Sequence, residues 1–349
     1  MEKINLTNYT VGVDVGSVSL NCIVVNRSKE VVFEFPYKRH FGKVDEEIRD
    51  LIERLFQKFG QSNIRSISFT GNHGQKLAEK LGVFYEFETI SQVLGVLHVV
   101  PEARSIICMG GQDTALFQIR HDDGGWELES FNANGPCASG TGSFIDQQAE
   151  RLATALYEKN RKTSQNHIDR ILNDFIQLGL KSEKPANVAC RCTVFTKSDM
   201  IHLQNKGEKL EDIIHGLHVG NARNYVSTIV SHQKLEDPIV FVGGLSKNEL
   251  QVKAFKAYYP NLIVPPYSTS AGALGVALKA IEFNKADTFD LDDLRQANRC
   301  GNISVPKAAP LILKKTRMPE AEKSPIKFLP KKIRAYLGVD IGSTTTKYA

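Results

Sequence analysis

The 349-residue sequence predicts an α/β fold of two similar lobes, each a mixed sheet with flanking helices, with a cleft between them. Three observations carry that prediction. Short apolar, β-branched runs alternate with longer runs of helical periodicity. Three of the apolar runs end in glycine turns: Asp14-Val15-Gly16-Ser17, Gly110-Gly111-Gln112-Asp113 and Gly243-Gly244. The turns recur in order along the chain, roughly 100 and 130 residues apart.

Taken in order, 10–17 reads as a strand and turn, followed by strands at 20–25 and 31–35. Residues 45–59 place Ile48, Leu51, Ile52, Leu55, Phe56 and Phe59 at helical spacing, one buried stripe. A strand at 64–70 runs into a Gly71-Asn72-His73-Gly74 turn, and a helix at 90–100 is stopped by Pro101. A second strand-rich block opens at 105–113, with 116–120 and 126–131 as hairpin partners. Helices follow at 142–157, 168–178, 193–204 and 210–230. A buried strand then ends in Gly243-Gly244. The last helix, 270–283, carries Ala271, Gly272, Ala273 and Gly275, small enough for close packing.

Residues 300–335 change character: Pro306, Pro310, Pro319, Pro325 and Pro330 punctuate a lysine-rich stretch, which reads as a semi-rigid linker. After it, Gly338-Val339-Asp340-Ile341-Gly342-Ser343 restates Gly12-Val13-Asp14-Val15-Gly16-Ser17, 326 residues on. The domain reading is therefore one module over 1–299, a linker over 300–335, and at 336–349 the first strand of a truncated second copy.

Composition narrows the function. A net charge of +5 is too mild to argue for a nucleic-acid partner. No apolar run approaches the ~18 residues of a membrane span, and the N-terminus lacks the apolar core of a signal peptide. Six cysteines without export read as reduced thiols or metal ligands in the cytoplasm.

The turns carry chemistry. Glycine lets backbone N–H groups approach phosphate oxygens as an anion nest, and an aspartate at a strand tip can hold a hydrated Mg²⁺. Asp14 and Asp113 can clamp one phosphate–Mg²⁺ group from opposite sides, and Gly243-Gly244 suits an adenosine pocket. Glu88 reads as a helix-start charge or a polar group near the metal.

Two cysteines sit in helix-starting motifs, Asn134-Gly135-Pro136-Cys137-Ala138-Ser139-Gly140-Thr141-Gly142 and Cys190-Arg191-Cys192-Thr193-Val194-Phe195. Helix N-termini carry partial positive charge and unbonded N–H groups, which lower a thiolate's pKa and stabilise an anionic cluster. Two thiolates per chain cannot complete the four-cysteine shell of a cubane iron–sulfur cluster; two modules can. Cys22, Cys108 and Cys300 read as inert, and Cys190 as either a spare ligand or a bystander.

These motifs resemble the actin, hexokinase and heat-shock-70 superfamily, with its ribonuclease H-like ATPase fold. Within it, Gly110–Thr114, Cys137–Gly142, Cys192–Asp199 and Phe241–Gly244 resemble the BadF/BadG/BcrA/BcrD ATPases: activators of 2-hydroxyacyl-CoA dehydratases and ATPase subunits of benzoyl-CoA reductase. The resemblance implies an ATP-dependent activase, a homodimer that shares one [4Fe-4S] cluster and passes low-potential electrons to a dehydratase- or reductase-type partner. It implies Asp14 and Asp113 as catalytic residues, with Asp14 holding Mg²⁺ through water. Gly12, Gly16, Ser17, Gly110, Gly111 and Gln112 would surround the phosphates of ATP or ADP, Gly243 and Gly244 the adenosine, and Cys137 and Cys192 would be cluster ligands. It also implies reduced ferredoxin or flavodoxin as donor, and an anaerobe's cytoplasm. The repeated start near Gly338 resembles fused members with two such modules, so the second copy could supply the other two thiolates.

This chain has Asn21 where the second copy has Lys347, and Gly135-Pro136 ahead of Cys137. Two other functions fit parts of the sequence: a small-molecule kinase with Asp113 as base, which leaves the cysteine motifs unexplained, and a degenerate nucleotide-binding docking module, which suits Asn21.

Overall fold

The computed structural model describes residues 9–134, 141–156, 165–190, 192–299, 336–341 and 346–348. The chain divides into two compact units, Met1–Asn302 and Ile303–Ala349.

The first unit is built on two sheets of the same design. The first comprises β1 (Tyr9–Val15), β2 (Ser19–Val25), β3 (Val31–Glu34), the short β4 (Lys38–Arg39) and β5 (Ile64–Thr70). Its order is β3-β2-β1-β5, with β4 also on β2; β1 is antiparallel to β2 and parallel to β5. A parallel bridge from Phe69 to Tyr85 adds a rudimentary sixth strand beside β5. Helices α1 (Val44–Phe59), α2 (Gly74–Leu81) and α3 (Glu88–Val99) follow.

The second sheet repeats the plan with β6 (Ser105–Met109), β7 (Thr114–Asp122), β8 (Gly125–Ala133) and β9 (Ile239–Val242). Its order is β8-β7-β6-β9, with β6 antiparallel to β7 and parallel to β9. A parallel Val240–Ile263 bridge matches the one in the first sheet. Between β8 and β9 lie α4 (Gly142–Leu156), α5 (Gln165–Leu180), α6 (Thr193–Asn205) and α7 (Leu210–Tyr225); after β9 come α8 (Glu249–Lys256), α9 (Ala271–Glu282) and α10 (Leu291–Arg299).

Burial explains the layers. The α1 stripe Ile48, Leu51, Ile52 and Leu55 packs with Val11, Val13 and Phe69 on the outer face of the first sheet. Helix α9 packs Ala273, Leu274 and Ala277 against Ile23 and Val25 of β2, on the inner face. Helix α3 packs Val93 and Val96 against Ile106 and Val242 of the second sheet. Small residues let α3, α9 and β1 nearly touch. A methyl group on Gly275 would fall 1.8 Å from Ser91 O, and one on Gly95 1.9 Å from Ala271 O.

The expected strands and helices are present, with shifts at their ends. Strands β7 and β8 are longer than the hairpin partners expected at 116–120 and 126–131. The helix expected over 210–230 is α-helical only to Tyr225. It continues as a widened turn, Val226–Val230, whose Ile229 carbonyl accepts from Asn132 Nδ2 (2.9 Å). Residues 300–335 lie outside the described residues.

In the second unit, β10 (Val339–Ile341) and β11 (Thr346–Tyr348) pair antiparallel. The register places Asp340 opposite Lys347, as β1 and β2 place Asp14 opposite Asn21. The internal repeat thus extends to strand pairing.

Candidate functional site

The three glycine turns converge because β1 and β6 occupy equivalent central places in the two sheets and β9 runs parallel beside β6. They enclose a cavity of about 260 Å³, lined among others by Asp14, Ser17, Tyr37, Glu88, Gly110 and Gly244. Gly110 N donates to Asp113 O (2.8 Å), closing the second turn. A methyl group on Gly111 would sit 2.3 Å from Val18 Cγ2, so the first and second turns meet across the cleft. Gly243 has φ +92° and a Cβ there would lie 2.4 Å from Met109 O, so glycine is required on two counts.

The floor of the cleft is acidic and incompletely bonded. Asp14 is 5% exposed and its Oδ1 has no hydrogen-bond partner. Gly71 and Gly272 approach this carboxylate closely; a Cβ on them would fall 2.5 Å from Oδ1 and 3.0 Å from Oδ2. Burial, then the charge of Glu88, pushes the Asp14 carboxyl well above its ordinary range. Glu88 is raised by burial and by Asp113. Asn21 Oδ1 and Gln92 Oε1 are also buried without partners. Asn72 Nδ2 donates to Asp113 Oδ2 (3.0 Å). Among the described residues, no group of three His, Cys, Asp or Glu side chains converges as a ready-made metal site.

Of the expected site residues, Asp14, Gly16, Ser17, Gly110, Gly111, Asp113, Gly243 and Gly244 line this cavity. Gly12 does not. A methyl group there would fall 1.8 Å from Ala273 O, so its lack of a side chain admits α9 rather than a phosphate. Gln112 is exposed and outside the cavity lining; its carbonyl accepts from Asn134 Nδ2 (3.2 Å), which fastens the turn to the end of β8. Tyr37 and Gln92 line the cleft without any sequence signal, since neither belongs to a motif, whereas Asn72 comes from the Gly71–Gly74 turn.

Cys137 lies outside the described residues, but the helix after it does not. Gly142 N donates to Gly110 O and Ser143 N to Gly111 O, both at 2.9 Å. The start of α4 is therefore bonded directly to the second glycine turn. Cys192 is half-buried at the N-terminus of α6, and its thiol does not cap the helix. Thr196 N and Oγ1 both donate to its carbonyl at 2.8 Å. Asp199 accepts from Ala189 N (2.8 Å), holding the approach to Cys192. Cys190 is committed to the core: its thiol donates to Leu217 O (3.5 Å), and burial pushes it up to about 12. Burial likewise raises the Cys22 and Cys108 thiols.

A two-lobed fold with phosphate-type glycine turns from both lobes over a buried aspartate defines a nucleotide-cleft ATPase. Among the described residues no helix is long and apolar enough to cross a membrane. The chain belongs to the BadF/BadG/BcrA/BcrD ATPase family, whose profile matches residues 11–280. It is 27% identical to the 2-hydroxyisocaproyl-CoA dehydratase activator of Clostridioides difficile, over 82% of this chain and 100% of that one. The structure of the Clostridium difficile activator with bound ADPNP matches with a TM-score of 0.64 at 24% identity, covering 86% of this chain and 99% of that one. The activator of lactoyl-CoA dehydratase of Anaerotignum propionicum is 29% identical, over 78% of this chain and 98% of its own. The crystal structure of the Acidaminococcus fermentans (R)-2-hydroxyglutaryl-CoA dehydratase component A matches with a TM-score of 0.66 at 25% identity, over 79% of this chain and 99% of that one.

Proposed function

We propose that this ATPase is an activase: ATP turnover in the cleft drives single low-potential electrons into a 2-hydroxyacyl-CoA dehydratase- or benzoyl-CoA reductase-type partner. The observation that carries the reading is the bonding of α4, which begins five residues after Cys137, to Gly110 and Gly111 at the cleft. A change at the phosphates would thereby reach the first residues of α4, where the Cys137 motif ends.

In this reading Gly16, Ser17, Gly110 and Gly111 hold the phosphates, and Gly243 and Gly244 the adenosine. The cleft fits a hydrated Mg²⁺, because Asp14 Oδ1, Asn21 Oδ1 and Gln92 Oε1 are buried oxygens that lack donors. Asp14 would hold the ion through water, and Asp113, steadied by Asn72, would orient the attacking water. Cys192 fits a cluster ligand, because its thiol stands at the N-terminal end of α6. Cys137 takes the matching role by motif position. A [4Fe-4S] cluster, completed by a second module, supplies one-electron transfer. That module is a second chain or the copy that begins at β10. A reduced ferredoxin or flavodoxin is the donor, and the cytoplasm of an anaerobe the setting.

Anaerobic mixing with a 2-hydroxyacyl-CoA dehydratase, a low-potential reductant and Mg-ATP tests the reading. Dehydration that starts only with ATP supports it. ATP hydrolysis that never activates any such dehydratase or reductase contradicts it.

A further inference from the structure

Strand β4 and helix α4 belong to opposite lobes, and each is fastened to one of the two glycine turns. On the first side, Arg39 pairs with Ser19 in the β2–β4 register. His40 N donates to Val18 O (3.1 Å), and His40 Nε2 donates to Gly16 O (3.1 Å) while Nδ1 accepts from Gly42 N (3.1 Å). On the second side, Gly142 and Ser143 are bonded to Gly110 and Gly111.

A charged contact joins the two sides. Arg39 Nη1 donates to Asp146 Oδ2, one turn into α4, and Nη2 faces Oδ1 at 3.4 Å. Both side chains are largely buried, at 13% and 17% exposure. A second cavity of about 220 Å³ adjoins the pair, lined by Arg39 and Asp146 together with Ser17, Val18, Ser143 and Gln147. The Tyr37 ring, 5.7 Å below the Arg39 guanidinium, steadies it from the cleft side.

These fastenings leave α4 little choice. If bound phosphate changes the separation of Ser17-Val18 from Gly110-Gly111, α4 must turn about its bonded first residues or give up a buried ion pair. Breaking one partner of such a pair is strongly unfavourable. We propose that Arg39 and Asp146 form an inter-lobe strut that converts the spacing of the two glycine turns into rotation of α4. They are positioning residues, outside the nucleotide cavity. The proposal rests on nucleotide binding in the cleft and not on the cluster.

Hydrogen exchange of α4 amides in the whole chain, with Mg-ADP and with Mg-ADPNP, tests it. Wild type should show protection over 142–156 that differs between the two nucleotides by at least about fivefold, the lower end of coupling between linked sites. Arg39→Ala and Asp146→Asn should erase that difference while calorimetric nucleotide affinity stays within about twofold. A purely structural role would instead lower protection equally in both states. The double exchange R39D/D146R should restore the difference. Arg39→Lys, which keeps the charge but loses the fork, should shrink it if Arg39→Ala does not fold. The proposal is overturned if wild type binds both nucleotides with no difference at α4, if the single variants keep the difference, or if the double exchange fails to restore it. A wild type that binds neither nucleotide would overturn the reading of the cleft itself, and calorimetry separates that result from the others.

Discussion

Replacing Asp14 by asparagine should make the nucleotide-free protein more stable and abolish its response to Mg-nucleotide. The carboxylate is 5% exposed, its Oδ1 lacks a donor, and burial together with Glu88 raises its pKa well above the ordinary value. An unsatisfied buried polar atom costs about 1–3 kcal/mol, and more when charged. An amide keeps the shape and removes the charge, so Asp14→Asn should gain about 1–3 kcal/mol near pH 8, at about 2–4 °C per kcal/mol. The pH dependence has a definite sign. A carboxyl whose folded pKa is raised favours the folded state most when protonated, and that advantage is lost as pH rises through the raised pKa. Wild type and variant should therefore match below the ordinary carboxylate range and diverge with rising pH. Thermal unfolding across pH, with and without Mg-ADP, is the assay. Ligand at a hundredfold excess over Kd should stabilise wild type by about 2.7 kcal/mol, and the variant hardly at all. A variant less stable at every pH, or one stabilised by nucleotide as fully as wild type, would refute the placing of Asp14 as a strained carboxylate kept for the metal.

Asn21→Lys should tighten Mg-ATP binding by about tenfold, measured by calorimetry, because a charge-assisted bond in the cleft contributes about 1.5–3 kcal/mol and the repeat already pairs Asp340 with Lys347; unchanged affinity would count against it. Gly12→Ala should cost about 3 kcal/mol or more in urea unfolding, because its methyl group meets the Ala273 carbonyl of α9 at 1.8 Å. His218 is fully buried between Ile214 O and Asn248 Nδ2, and burial pulls its pKa down to about 4. The unfolded chain therefore binds the proton first, and stability should fall by about 3 kcal/mol as pH drops from 6.5 through 4. His218→Gln should flatten that part of the acid-denaturation profile.

The lobes were legible because their strands are apolar runs with glycine at the ends, a pattern that survives without tertiary context. The repeat was legible too, and the shared register of Asp14 with Asn21 and Asp340 with Lys347 gives it a structural meaning. Strand β4 was not legible: two residues carry no periodicity, and only pairing with β2 makes them a strand. Helix α2 buries just Gly74, Leu77 and Ala78, too short a stripe to stand out. Gln92 reaches the cleft from the middle of α3, so its place depends on the packing of α3 against α9, and Asn72 reaches it from the turn after β5, where it bonds Asp113. Gly12 shows the opposite difficulty. A glycine two residues before a phosphate-turn aspartate looks the same whether it faces a ligand or a helix, and only Ala273 decides it.

Iron and acid-labile sulfide per chain, in anaerobically purified protein alongside Cys137→Ala and Cys192→Ala, test the central claim most directly. About two irons and two sulfides per chain, lost in both variants, are the result expected of a four-iron cluster shared between two modules that each contribute two thiolates. Wild type that holds no iron after strictly anaerobic reconstitution would contradict the account.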